Sequence, residues 1–292
     1  MDTKEWLAKR RLTIGSSDAA AVCGLDPFDR TATDIWLDKV QSIDQPENPQ
    51  MRWGKRLEPV IADAYTEATG LKLHAPDGIL YTERYPFMHA TLDRVAEDGR
   101  VVELKTSRFH HEWGPLAEDI PEGYLIQVHH QMIVADATRA DLAVLIGGND
   151  FRIYPVPFNR RLAQLLIEQE EAFYAHMQSR TPPPPDWDDE RTLAALDRLY
   201  SPIDTERILL DRNVTILVDE YLHLKEQVNA AKVEIDLLKG RLIGVMGHAG
   251  VGELPDGRLL IRKTVTRHYG AREAYESSHN EFRIKLPRKA KS

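Results

Sequence analysis

Cysteine is almost missing from this sequence, with one residue, Cys23, in 292. A single thiol excludes an internal disulfide, a four-thiolate zinc site and an iron–sulfur cluster held by four cysteines. Long apolar runs are missing as well, since no stretch approaches the roughly 20 residues that span a bilayer. The opening MDTKEWLAKRR has no apolar signal segment, so a cytoplasmic protein without membrane spans is expected. Net positive charge is also lacking: 38 Lys and Arg against 46 Asp and Glu leave −8. Taken as an average, that argues against a phosphate-rich partner. Averages hide patches, however. Lys9, Arg10 and Arg11 cluster near one end and Lys285, Arg288, Lys289 and Lys291 near the other; each cluster suits a local positive surface or a solvated terminus.

The hydrophobic share of 42% and charged share of 29% are ordinary for a globular chain. The length suits one core plus a smaller appendage. The clearest boundary is TPPPPDWDDE at 181–190, where consecutive prolines force extended geometry and forbid a helix. Residues 1–180 form one expected domain, 181–190 a linker and 191–292 a mainly helical region ending in a β-hairpin. In the first part, DAAAVCGL reads as a helix from near Asp18, TATDIWLDKV as one capped by Thr31 or Thr33, and RLEPVIADAYTEATG as an amphipathic helix closed by Gly70. Strands are expected around 86–95 and 100–106, joined by a Glu-Asp-Gly turn. The helix GYLIQVHHQMIVAD, the strands ADLAVLIGG and FRIYPVPF, and a helix over 159–178 follow. This mixture indicates an α/β or α+β fold with helices against a central mixed sheet.

In the second part, apolar residues recur at 214, 217, 221, 224, 228, 231, 235, 238 and 242. Steps of three and four are heptad-like and indicate one long helix or a helical hairpin. A hairpin turning at Pro-Asp-Gly follows. GHAGVG does not read as a phosphate loop, because no strand precedes it and no Lys-Ser or Lys-Thr follows.

The stretch LDRVAEDGRVVELKTS, residues 92–107, carries the chemistry. Strand alternation sends Glu103 and Lys105 to one face, and the turn sets Asp93 across from them. Carboxylates that converge beside the Leu104 carbonyl suit a hard divalent cation, and Lys105 beside them suits a developing anion. A solvated Glu-x-Lys face is the plainer alternative. His110-His111 and His129-His130 lack partners at zinc spacing and read as surface or DNA-facing side chains.

Asp93 with Glu103-Leu104-Lys105 resembles the core motif of the PD-(D/E)XK nuclease superfamily. Around it the likeness narrows to the YqaJ-like viral recombinase and lambda-type alkaline exonuclease family. IGSSDAAAVCGLDPFDRTATDIWLDK is similar to that family's opening segment, MRWGKRLEPVIADAYTEATG to its glutamate helix and GYLIQVHHQMIVAD to its glutamine helix. The resemblance covers about residues 4–180. It implies metal ligation by Asp93, Glu103, the Leu104 carbonyl and Glu58, a catalytic lysine in Lys105, and a positioning glutamine in Gln127 with Tyr124 on the same helix face. Glu58 is otherwise an early helix residue facing the helix dipole ahead of Pro59. For a 5′-phosphate, the resemblance implies Arg10 and Ser17 with Ser16 beside them and Trp6 at the family's spacing; Ser17 also reads as a helix N-cap.

Taken together, the resemblance implies a Mg²⁺-dependent 5′→3′ exonuclease, Mn²⁺ being an alternative metal. It would act on the ends of linear double-stranded DNA and leave 3′ overhangs for phage-type recombination. It further implies a homotrimer, a single-strand annealing protein as partner, and a phage or prophage origin in a bacterial cytoplasm. Two rivals stay open: an endonuclease or nickase that uses residues 191–292 to recognise DNA, and a non-catalytic DNA-binding protein on the same fold.

Overall fold

The computed structural model describes residues 3–42, 49–110, 113–114 and 119–266. In chain order the elements begin with α1 (Thr3–Arg11), β1 (Ile14–Gly15), α2 (Ser16–Val22), α3 (Ala32–Trp36), α4 (Pro49–Thr69), β2 (Leu73–His74), β3 (Leu80–Tyr81), β4 (Met88–Ala90), β5 (Arg94–Ala96) and β6 (Val101–Ser107). They continue with α5 (Glu122–Ala135), β7 (Arg139–Ile146), β8 (Asp150–Pro157), α6 (Arg160–Ser179), α7 (Thr192–Leu199), α8 (Asn213–Met246), β9 (Val251–Glu253) and β10 (Leu259–Ile261). The chain falls into two compact units, Met1–Ser201 and Pro202–Ser292. Among the described residues no helix is long and apolar enough to cross a membrane.

The first unit is built on a five-stranded mixed sheet of order β2-β5-β6-β7-β8. Only β6 and β7 run parallel, which requires a crossover, and α5 supplies it. Alternation along β6 sorts its side chains. Val102 and Leu104 pack with Ile61, Ala62 and Tyr65 of α4 on one face. Val101 packs with Val128 and Met132 of α5 on the other. Helices therefore cover both faces, and the apolar residues of β7, from Ala140 to Ile146, read as a buried parallel strand should. A small sheet, β1-β4-β3, lies beside it.

Four expectations are corrected. The strand expected over 86–95 is two strands in two sheets, β4 paired with β1 and β5 paired with β6, with a bend at Asp93 between them. The glutamate helix starts at Pro49, so Glu58 lies in mid-helix before an internal Pro59 and is no dipole-facing first-turn residue. The N-cap of α2 is Gly15, whose N–H donates to Asp18 Oδ2 at 3.0 Å; Ser17 is thus inside the helix and does not cap it. Finally, the first unit does not stop at the proline run. Ala195 of α7 is buried, Arg191 Nη2 donates to the Gly24 carbonyl at 2.9 Å and Arg198 Nε to Asp34 at 2.8 Å.

The second unit holds α8 as one long helix and the β9–β10 hairpin. Gly257, in the hairpin turn, has φ 82°, a conformation glycine adopts at no steric cost. The basic tail from Lys285 lies outside the described residues.

Candidate active site

Glu103 stands in the middle of β6, on the α5 face, and is 2% exposed. A carboxylate so buried must be satisfied by donors, and three side chains provide them. Lys105 Nζ pairs with Glu103 Oε1 at 2.5 Å. Gln127 Nε2 donates to the same oxygen at 2.7 Å, and Gln131 Nε2 to Oε2 at 2.6 Å. Gln127 and Gln131 are four apart on α5 and so share a face. Gln131 escaped the sequence reading, though its spacing from Gln127 was the available signal. Its Oε1 is buried and, among the described residues, has no partner.

Asp93 meets the same strand from the other side. Its Oδ2 accepts the Leu104 N–H at 2.9 Å. β5 pairs with β6 only at Val101 and Val102, so at Leu104 that edge of the central strand has no neighbouring strand. In a β-strand a residue's N–H and C=O leave on the same edge. The Leu104 carbonyl therefore faces the side from which Asp93 comes. Arg94 turns back on the bend, donating through Nη1 to the Asp93 carbonyl at 2.6 Å.

These acidic groups feel one another. Burial, then Glu103 and Glu58, push the Asp93 carboxyl up to about 8, against the opposing pull of Lys105 and the Leu104 N–H. Glu58 is raised by burial and by Glu103, with Arg94 and Lys105 opposing. Burial disfavours the Lys105 ammonium, yet Glu103 and Asp93 hold its pKa above the usual lysine value. The Lys105 ammonium lies 5.4 Å from the Tyr124 ring centre, a cation–π approach that also excludes water from one side. Tyr124 in turn stacks on Trp113 with centroids 5.2 Å apart.

The donor set, Asp93, Glu103, Glu58 and the Leu104 carbonyl, is all oxygen and suits a hard divalent cation. Burial first, and then Glu103, raises both Asp93 and Glu58, and Lys105 and Arg94 do not fully offset it. Among the described residues, however, no three His, Cys, Asp or Glu side chains gather as a preformed metal cage. Both Glu103 oxygens are engaged by α5 and Lys105, and one Asp93 oxygen by the backbone.

A second cluster forms around Ser17. Arg10 Nη2 donates to Ser17 Oγ at 3.1 Å and its guanidinium lies 4.5 Å from the Trp6 ring centre. Lys39 Nζ donates to the Arg10 carbonyl at 2.9 Å and pairs with Asp18 at 2.6 Å. Burial works to raise the Asp18 pKa, but Lys39, Arg10 and Arg30 together bring it well below the usual carboxylate range. Arg30, which sequence reading also missed, donates through Nη2 to the Ser17 carbonyl and to Asp26. Arg10 and Ser17 are thus brought together as expected, while Ser16 is buried at the start of α2.

Two of the four histidines read as surface or DNA-facing behave otherwise. His129 and His130 are buried. His130 bridges Glu170 and the His89 carbonyl at 2.7 and 2.8 Å, and His129 links the Leu125 carbonyl to the Asn159 N–H. They are satisfied core groups. His110 is exposed near Asp150, and His111 lies outside the described residues.

Residues 5–138 match the family model of the YqaJ-like viral recombinase domain. Uncharacterized protein YqaJ of Bacillus subtilis (strain 168) is 32% identical over 181 residues, covering 60% of this chain and 56% of that protein. The chain thus spans little more than half the length of this relative. Among solved structures, the alkaline exonuclease LHK-Exo from Laribacter hongkongensis aligns at 16% identity and TM-score 0.48, over 61% of this chain and 94% of that one. A phage-related exonuclease from Haemophilus somnus 129PT aligns at 13% and 0.45, over 57% and 96%. Residues 5–138 are thus similar to the YqaJ-like viral recombinase domain, which agrees with the likeness read in the opening segment, the glutamate helix and the glutamine helix.

Proposed function

We propose that this domain is a Mg²⁺-dependent 5′→3′ exonuclease that degrades one strand of linear double-stranded DNA and leaves 3′ overhangs. The observation that carries this reading is the buried Glu103, gripped by Lys105, Gln127 and Gln131, with Asp93 and Glu58 beside it, each raised by burial and by Glu103. Asp93, Glu103, the Leu104 carbonyl and Glu58 would hold Mg²⁺, or Mn²⁺, which would neutralise charge on the scissile phosphate and make water a better nucleophile. The chain's own residues do the rest. Gln127 and Gln131 fix the Glu103 carboxylate in one orientation. Lys105 stays charged and stands ready to stabilise negative charge developing on phosphate oxygens. Arg10, held by Ser17, presents a guanidinium suited to a terminal phosphate. The resemblance adds a homotrimer and a single-strand annealing protein as partner to the same proposal.

The test is digestion of 5′-phosphorylated linear duplex in Mg²⁺. Wild type is expected to release mononucleotides from the 5′ strand and to spare closed circular plasmid. Lys105→Ala is expected to lose about 10²–10⁴-fold in rate, and Arg10→Ala to lose its preference for a phosphorylated over a hydroxyl 5′ end. Cutting of the closed circle, or undiminished digestion by Lys105→Ala, would overturn the reading.

A further inference from the structure

α8 has 34 residues, and none of them is buried. A helix draws most of its stability from burying an apolar face. Here the face is present and, among the described residues, uncovered: Leu217, Leu224, Val228, Ile235, Leu238 and Leu242 are between 48% and 64% exposed. Placed on a heptad, these positions form an unbroken seam through the whole helix. Val214, Tyr221, Val228, Ile235 and Leu242 occupy a; Leu217, Leu224, Ala231, Leu238 and Val245 occupy d. Ile216, Leu222, Leu237 and Ile243 lie outside it.

The flanks say what should cover this seam. Position e carries Val218, Lys225, Lys232, Lys239 and Met246, while position g carries Asn213, Glu220, Gln227, Glu234 and Arg241. Between residues 220 and 239 one flank is basic and the other acidic or neutral, which is the arrangement an identical parallel helix complements; Arg241, at the last g position, meets only the partner's Met246. In that pairing Glu220 faces the partner's Lys225, and Glu234 faces the partner's Lys239. An antiparallel pair would instead set the lysine row against itself. β-branched residues at two central a positions, with leucine at most d positions, favour two strands over three.

We propose that α8 pairs with α8 of a second copy of this chain as a parallel, in-register, two-stranded coiled coil. This assembly surface is independent of the nuclease reading and joins two chains whatever the arrangement of their first units.

The full-length chain tests it, with Cys23→Ser as background so that each added thiol is unique. Leu217→Cys and Leu238→Cys are made separately, and Val233→Cys serves as the control on the outer face. Under mild oxidation both seam variants are expected to form disulfide-linked dimers at least tenfold faster than the control. Only a parallel, in-register seam brings both identical pairs together. Equal rates at all three positions, or no linkage at either seam position, would overturn the proposal. A second arm uses sedimentation. Glu220→Lys with Glu234→Lys is expected to raise the dissociation constant of the α8-dependent association at least tenfold, and adding Lys225→Glu with Lys239→Glu to restore it. A mass indifferent to these charge reversals would equally overturn it.

Discussion

The two units of this chain place charge and oil in opposite ways. Residues 1–201 bury Glu103, Asp18, Lys39, His130 and Glu170. In residues 202–292, α8 leaves every apolar side chain at least partly in solvent. Burying an ionisable group costs free energy unless it is paired, so the first unit has built each of its charged clusters against a prepared set of partners. Exposing a leucine stripe gives up the burial that holds a helix together. The first unit is therefore complete in its own interior, while the second presents a surface.

Breaking a buried pair tests the first half of this contrast most severely. Glu170 Oε1 meets His130 Nδ1 at 2.7 Å and both side chains are fully buried. Glu170→Ala is expected to cost about 3–5 kcal/mol by leaving His130 without its partner. Chemical denaturation measures this, and a change within experimental error would mean that the pair is only a spectator.

A smaller effect is expected where α5 crosses the loop after α2. A Cβ added at Gly123 would sit 2.4 Å from the Leu25 carbonyl oxygen and 2.8 Å from Pro27 Cδ. Backbone must shift to admit it. Gly123→Ala should therefore cost about 1–3 kcal/mol and slow the proposed nuclease reaction, since α5 carries both glutamines that grip Glu103. Full stability together with full rate would show that the close approach is not needed.

The smallest expected effect has a sign that separates stability from function. Asp93 has an ordinary value of 3.8 and is pushed up to about 8, first by burial and then by Glu103 and Glu58. A raised acid supports the fold when protonated, so metal-free protein should lose stability as pH climbs from 3.8 through about 8,. Asp93→Asn removes that dependence while keeping an oxygen for the Leu104 N–H. In chelator it is expected to raise the melting temperature by about 2–4 °C at pH 8 and by less at pH 5. Melting curves at the two pH values decide it; a lower midpoint at pH 8 would contradict the cause assigned to the shift.

Much of the fold was legible because periodicity is local. α5, β7, β8, α6 and α8 fall where their apolar spacing puts them, and alternation alone set Glu103 and Lys105 on one face. The division at Asp93 was not legible, because no glycine or proline marks it within HATLDRV and the break arises from β4 and β5 joining different sheets. Nor was the burial of His129 and His130, whose partners Asn159 and Glu170 lie 30 and 40 residues away in sequence. The docking of α7 was hidden similarly: proline forbids a helix locally but says nothing about whether the chain beyond returns to the core. Gln131 and Arg30 were visible as residues, and only their distant partners give them meaning.

Consider, finally, that β5 is only three residues long. A longer strand would have zipped along β6 past Leu104, and the backbone groups there would have been spent on ladder bonds. Its early end turns the middle of the sheet into a notch, with a side chain rather than a strand reaching into it. The notch exists because pairing stops short, so a sequence change that let β5 grow by two more pairs, drawing Asp93 into the strand and bringing Leu92 opposite Leu104, would close the cleft without replacing any acidic residue in it.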